Sequence, residues 1–205
     1  MSEAPETVEG WYVLHDIRKI DWAAWRSMLP EERAGAVEEV TRLLQNYEQL
    51  PPEDGSSAAY TIIGHKGDIM LLHLRPTLAE LGELERQLDK TTLSSVLIPT
   101  YSYVSVTELS RYTDDSRSDE EFMSNPHVQK RLKFHVPDLS HVCFYPMDKK
   151  RGEQNNWYTL PMEQRREMMH SHGLIGRKYA GRVVQMISGS MGLDDWEWGV
   201  TLFAD

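Results

Sequence analysis

AAYTIIGHKGDIMLLHLRP, residues 58–76, sets two apolar runs on either side of His65-Lys66-Gly67. Each run has strand length, and a short joint containing glycine permits a tight reversal, so the stretch predicts a β-hairpin. Upstream, the turn-forming PPEDGSS (51–57) separates it from residues 22–47, where Trp25, Met28, Ala36, Val37, Val40, Leu43 and Leu44 recur at helical intervals. That period predicts a helix. Pro30 predicts that it comes in two pieces, because proline lacks the N–H that a helix interior needs and fits a first turn instead. Before Asp21, GWYVLHDIRKI (10–20) mixes aromatic and aliphatic residues at strand spacing. Downstream, Thr77 can cap a helix over LAELGELERQLDK (78–90), with acids early and Lys90 late as the helix dipole favours. IPTYSYVSVTEL (98–109) then returns to strand alternation, and the order is β-α-β-β-α-β.

A polar segment follows, from Ser110 to Asp138, carrying DDSRSDEE and then the basic NPHVQKRLKFH, after which the order begins again. LSHVCFYPMDKK (139–150) predicts a strand and LPMEQRREMMHSHGLIGRKYAG (160–181) a helix stopped by Gly181. VVQMISGSM (183–191) and WEWGVTLFAD (196–205) predict two strands meeting at a GLDD turn. A strand, a helix and a hairpin occurring twice predict an α+β protein of duplicated ferredoxin-like domains. The expected divisions are 1–110 for the first domain, 111–138 for a linker and 139–205 for the second. The second copy is expected to lack its final helix and strand after Asp205, leaving a sheet edge for further sequence or another chain to cover.

With 205 residues, 40% hydrophobic and 26% charged, the composition is that of a folded globular chain. A net charge of −10 gives no global driving force toward nucleic acid or an anionic membrane, so an anionic ligand needs a local basic patch. The start, MSEAPETVEG, has no apolar run of the signal-peptide kind, and no stretch of about 18 uncharged apolar residues occurs, so the expected location is cytoplasmic. The single cysteine, Cys143, excludes an internal disulfide and a thiolate-rich zinc or iron–sulfur site, and it reads as a small buried residue.

His170 and His172 sit two positions apart on the predicted helix, so at about 100° per residue they point to nearly opposite sides and cannot chelate one zinc ion together. His172 shares its stripe with Met168, Met169, Ile175 and Tyr179, while His170 shares its side with Arg166 and Glu167. A histidine on an apolar stripe is either a hydrogen-bonded core residue or one that meets a ligand. On 139–149, alternation sets Leu139, His141, Cys143, Tyr145, Met147 and Lys149 on one face. A phenol and an ammonium both need partners if buried, so that face is either a strand end emerging into solvent or the wall of a polar site. Gln185, between Val183 and Ile187, puts an amide on an otherwise apolar face, where it either bonds a neighbouring carbonyl or donates to a ligand oxygen. Lys130, Arg131 and Lys133 form a basic cluster in an acidic protein. That is either a solvated face or, at Arg131, a bidentate grip on a carboxylate.

Taken together these residues resemble the chlorite dismutase-like haem proteins, and within them the coproheme decarboxylase branch of Gram-positive bacteria. The likeness covers essentially the whole chain and is most specific over HVCFYPMDKKRGEQNNWYTLP (141–161) and MMHSHGLIGRKYAGRVVQMISGSMGLDDWEWGVTLF (168–203). The resemblance implies a fold of the dimeric α+β barrel type, a homopentamer, and haem in the C-terminal domain. It implies that His172 is the axial ligand of the haem iron, Tyr145 the tyrosine that becomes a radical, and Lys149 the lysine beside the reacting propionate. Arg131 matches a propionate-binding arginine, Met147 a residue packing on the porphyrin edge, and Gln185 the distal glutamine, where chlorite-splitting relatives carry an arginine. Members of the family also use a propionate-binding serine in a region beyond Asp205.

The implied substrate and redox centre is iron coproporphyrin III (coproheme), whose propionates would explain a local basic patch, and the implied product is haem b. Hydrogen peroxide is the implied oxidant, meeting the iron on the side opposite His172. A Tyr145 radical would take hydrogen from a propionate β-carbon, and loss of CO2 and an electron would leave a vinyl group. Lys149 would orient the propionate and move protons. The rival expectations are chlorite dismutation or a peroxidase activity on the same scaffold, and a haem-binding carrier without catalysis.

Overall fold

The computed structural model describes residues 7–110, 112 and 118–205. They form two compact units, one of Trp11–Ser105 and the other of residues 7–10 with the described part of Val106–Asp205.

The first unit is built on strand β1 (Thr7–Ile20), helices α1 (Trp22–Ser27) and α2 (Pro30–Glu48), the hairpin β2 (Ser56–Thr61) and β3 (Ile69–Arg75), helix α3 (Leu78–Asp89) and strand β4 (Leu97–Ser110). The break at Pro30 is as expected: Asp21 caps α1 by accepting from the amides of Ala23 and Ala24, and Pro30 opens α2. There the Glu32 carboxylate accepts the Leu29 N–H at 2.8 Å. Thr77 and Glu80 form the reciprocal cap of α3, each accepting from the other's backbone amide. The strands lie in the order β2-β3-β1-β4, and β3 runs antiparallel to both β2 and β1.

Register decides the core of this unit. Leu14 pairs with His73 and Asp16 with Leu71, which puts the four on one face. Against that face pack Tyr47, Leu81 and Leu84 beside Leu14, and Val40, Leu88 and Leu97 beside Leu71. Each such leucine contributes about 1.5–3 kcal/mol by leaving water. The polar groups among them are satisfied: Arg18 donates to Asp16 at 2.8 Å and to Asp89 at 3.0 Å, and His73 Nδ1 lies 2.8 Å from the Ser57 hydroxyl.

The second unit holds helices α4 (Asp119–Ser124) and α5 (Pro126–Leu132), strand β5 (His141–Met147), helix α6 (Met162–Arg177) and strands β6 (Val183–Ser190) and β7 (Trp198–Ala204). Of the stretch expected as a linker, 111–138, residues 111 and 113–117 lie outside the described residues, and residues 118–138 carry the two short helices α4 and α5. Ser118 caps α4, Asn125 caps α5 with Pro126 in its first turn, and Phe122, Val128 and Leu132 are buried together with Leu109. The Thr107 hydroxyl donates to the Leu132 carbonyl at 2.6 Å. Residues 7–10 and 106–110, assigned by sequence to the first domain, lie in this unit.

β7 runs antiparallel to β6 and to β5, and the order β6-β7-β5 repeats the order β2-β3-β1 of the first unit. The chain is therefore an α+β protein of duplicated ferredoxin-like units. The predicted helix 160–181 ends sooner than expected, at Arg177. Its last residues pass into tighter turns, with Tyr179 N–H bonded to Gly176 O and Ala180 N–H to Arg177 O, and Gly181 leaves at φ +80. Among the described residues no helix is long and apolar enough to cross a membrane.

Candidate functional site

The pairings of β7 with its two neighbours define rows of side chains across the sheet of the second unit. Cys143, Leu202 and Gln185 form one row, Tyr145, Val200 and Ile187 the next, and Met147, Trp198 and Gly189 a third. Because side chains alternate along a strand, these residues share one face. Tyr145, Met147 and Gln185, singled out separately in the sequence, are thus brought together. Tyr145 and Gln185 are two strands and one row apart, roughly 10 Å across the sheet and roughly 7 Å along it. Tyr145 is 43% exposed, and Gln185 is also exposed rather than buried among Val183 and Ile187. Cys143, read as a buried residue, is exposed on the same face. The opposite face of this sheet carries the packing, as where Phe203 stacks on Phe134 with centroids 5.7 Å apart.

Lys149 falls beyond the end of β5, and its position is fixed by two indoles. Its ammonium lies 4.6 Å from the ring centre of Trp157 and 5.8 Å from that of Trp198. Trp198 belongs to the Met147 row, so the ammonium sits at one end of the face that bears Tyr145. Desolvation by these surroundings lowers the Lys149 pKa from its ordinary value. The Trp198 indole N–H donates to Glu108 on β4 at 2.6 Å. Glu108 occupies the space that Gly189 leaves, since a Cβ at 189 would stand 2.5 Å from its Oε2. Burial raises the Glu108 pKa, opposed by the Trp198 hydrogen bond and reinforced by the charge of Glu9. The sequence reading missed Glu108, Trp157 and Trp198. The available signals were an acid interrupting the apolar alternation before Leu109 and a glycine inside a strand pattern at 189.

His172 and Arg131 stand on separate helices of the same unit. On α6 only Arg165 is buried, held by a 3.5 Å hydrogen bond to the Tyr112 hydroxyl, over whose ring its guanidinium lies. The stripe predicted around His172 is present but uncovered by protein: Met168 is 52% and Ile175 58% exposed, and His172 and Tyr179 are exposed with them. His170 is exposed too, so solvation does not separate the two histidines as their neighbours in sequence suggested. Arg131 lies in the last turn of α5. The residue is exposed overall, yet enough protein surrounds its guanidinium for desolvation to lower its pKa. Among the described residues no three His, Cys, Asp or Glu side chains gather into a metal site.

Residues 33–205 match the protein family described as Chlorite dismutase. A heme-binding protein from Thermus thermophilus is 44% identical, with a TM-score of 0.91 over 100% of this chain and 81% of that one. A point mutant of the chlorite dismutase from Candidatus Nitrospira defluvii is 19% identical, with a TM-score of 0.72 over 96% of this chain and 77% of that one. The same enzyme in complex with imidazole is 18% identical, with a TM-score of 0.69 over 96% and 77%. These two distant likenesses show a shared fold, and the family match adds the sequence. The chain belongs to the chlorite dismutase family.

Proposed function

We propose that this chain is a coproheme decarboxylase, which uses hydrogen peroxide to convert two propionates of iron coproporphyrin III into vinyl groups and releases haem b. The observation that carries the reading is the shared face: Tyr145, Met147 and Gln185 stand on one side of one sheet with the Lys149 ammonium at its end. The residues present suit an iron porphyrin. A haem iron asks the protein for one axial ligand, so a lone imidazole at 172 is enough, and the apolar side chains around it offer what a flat macrocycle covers. When bound, the iron porphyrin supplies the redox chemistry with peroxide.

The protein's part is position and protons. His172, on α6, would hold the iron, and Gln185, on the sheet, would offer an amide N–H to a bound oxygen atom. Tyr145 yields its hydrogen atom, and the resulting tyrosyl radical takes one from the β-carbon of the propionate. CO2 then leaves and one electron returns to the oxidant, so each arm uses one peroxide and forms two waters. Lys149 would hold the carboxylate, and Arg131, whose guanidinium can grip a carboxylate in bidentate fashion, would hold another propionate. The same reading makes the protein a cytoplasmic homopentamer.

A haem-binding role without catalysis is the second reading, favoured by the 44% identity to a heme-binding protein. Chlorite chemistry is disfavoured by a glutamine at 185 in place of arginine. Incubating the chain with ferric coproheme and peroxide, read by absorbance and mass spectrometry, separates these. The expected products have lost one CO2 and two hydrogens per reacted arm. Tight binding with no product supports the carrier, and oxygen evolved from chlorite supports dismutation. His172→Ala should remove the histidine-ligated ferric spectrum, and an unchanged spectrum moves the ligand elsewhere.

A further inference from the structure

One carboxylate organises the loop that carries Lys149. Glu197, at the turn before β7, has a side chain only 17% exposed and accepts from three groups of the segment after β5. The backbone N–H of Lys149 donates to its Oε2 at 2.8 Å, and the Arg151 guanidinium and the Tyr158 hydroxyl both donate to its Oε1. The bond is returned across the same gap, where the Glu197 N–H donates to Asp148 Oδ1 at 2.7 Å. Further along, Arg151 lies over the Tyr158 ring, 4.6 Å from its centre, and bridges to Asn156, while the Trp157 N–H donates to the Lys150 carbonyl at 2.9 Å. These contacts set both Lys149 and Trp157, one of the two indoles against which its ammonium rests.

The arrangement is more than a surface ion pair, which on its own contributes little. A charged acceptor bonded to a backbone N–H fixes the main chain at the residue it holds, and bonds to charged groups are the stronger kind. Removing Glu197 would free the backbone of Lys149 and the loop bearing Trp157 together, so the ammonium would lose its place at the end of the Tyr145 face. The chemistry at Lys149 needs that place, because a carboxylate arm is held productively only within hydrogen-bond reach.

We propose that Glu197 is a positioning residue that aims Lys149 at the carboxylate arm of the bound porphyrin, an inference that rests on the reading of Lys149 given above. Its effect on Lys149 is measurable without any porphyrin. The full chain is treated with limiting acetic anhydride across a range of pH, and acetylation at Lys149 is quantified by tandem mass spectrometry, with exposed Lys150 as the internal reference. In the wild type the desolvated Lys149 should titrate below the ordinary lysine value and react slowly. In Glu197→Ala its limiting rate should rise several-fold, and its midpoint should move up toward the ordinary lysine value. If Glu197→Ala does not fold, Glu197→Gln and Tyr158→Phe should shift rate and midpoint the same way by less. A Lys149 profile unchanged in every folded variant overturns the proposal.

Ferric coproheme added to the wild type supplies the second arm. Protection of Lys149 from acetylation supports both readings. A profile that responds to Glu197 but shows no protection leaves the positioning intact and removes the porphyrin from this site.

Discussion

Two stretches of this chain follow the same path of strand, helix and hairpin, and they treat their apolar side chains in opposite ways. Between β1 and β3, α2 buries Ala36, Val40 and Tyr47, and α3 then adds Leu81, Leu84 and Leu88. Between β5 and β7, α6 buries only Arg165 and leaves Met168, Leu174 and Ile175 exposed. Polar groups divide the same way. His73, Ser57 and Arg75 bond one another or neighbouring carbonyls inside the first unit, whereas Tyr145 and Gln185 stand open in the second. Since burial of apolar surface is what chiefly holds a helix to a sheet, the first copy completes its own core and the second presents a wall to something else.

The contrast can be broken most sharply at the open wall, with Tyr145. On the proposed function, Tyr145→Phe should reduce coproheme decarboxylation to background while leaving binding and folding stability near wild type; full turnover would end the proposed radical role. Acid comes next. Burial holds His15 and His73 at about 3, with the charge of Arg75 adding to the effect at His73 and a backbone bond to Tyr103 opposing it at His15. Unfolded histidine titrates near 6.5, so stability is full above that value. It drains as pH falls toward 3, because only the unfolded chain takes up the protons. At about 1.36 kcal/mol per unit for each group, two units of acidification should cost on the order of 5 kcal/mol. Urea midpoints across that range would show it, and His73→Gln should remove about half of the slope. A level curve would mean that these imidazoles meet water.

Smaller effects sharpen the comparison. Leu88→Ala, at a residue 2% exposed, should cost about 2–5 kcal/mol in urea unfolding. Ile175→Ala on α6 should stay within about 0.5 kcal/mol without porphyrin. Equal losses at the two sites would show that α6 is packed as tightly as α3. Tyr47→Phe removes a 3.0 Å bond to the Leu84 carbonyl and should cost about 1 kcal/mol while leaving turnover alone.

What could be read from the sequence was whatever depends on residues close along the chain. Pro30 marks where one helix yields to another, Thr77 and Glu80 announce a cap, and Gly181 takes the positive φ that ends a helical turn. The helices of 118–132 carried the same kinds of signal, Ser118 three residues before Glu121 and Asn125 before Pro126. They were obscured by the surrounding charge, which favoured reading a connection. Alternation correctly grouped Tyr145 and Met147, but only strand register adds Gln185, and register is not written locally. The contacts around Lys149 are further from reach. Glu197 lies 48 residues from the amide it accepts, and Glu108 lies 90 residues from the indole it holds. Cys143 is exposed where a buried residue is expected, and the apolar stripe of α6 is uncovered, because periodicity tells which side chains share a side and not whether protein covers it.

The close approach of Gly189 to Glu108 makes history matter at this pair of positions. A methyl group added at 189 would stand 2.5 Å from the carboxylate, which the Trp198 indole already holds in place. A lineage that first shortens residue 108 is then free to enlarge residue 189. The opposite sequence of events dislodges the acid at once and disturbs the indole on which Lys149 rests. The order in which positions 108 and 189 change therefore decides whether the support under Lys149 is kept or disturbed along the way.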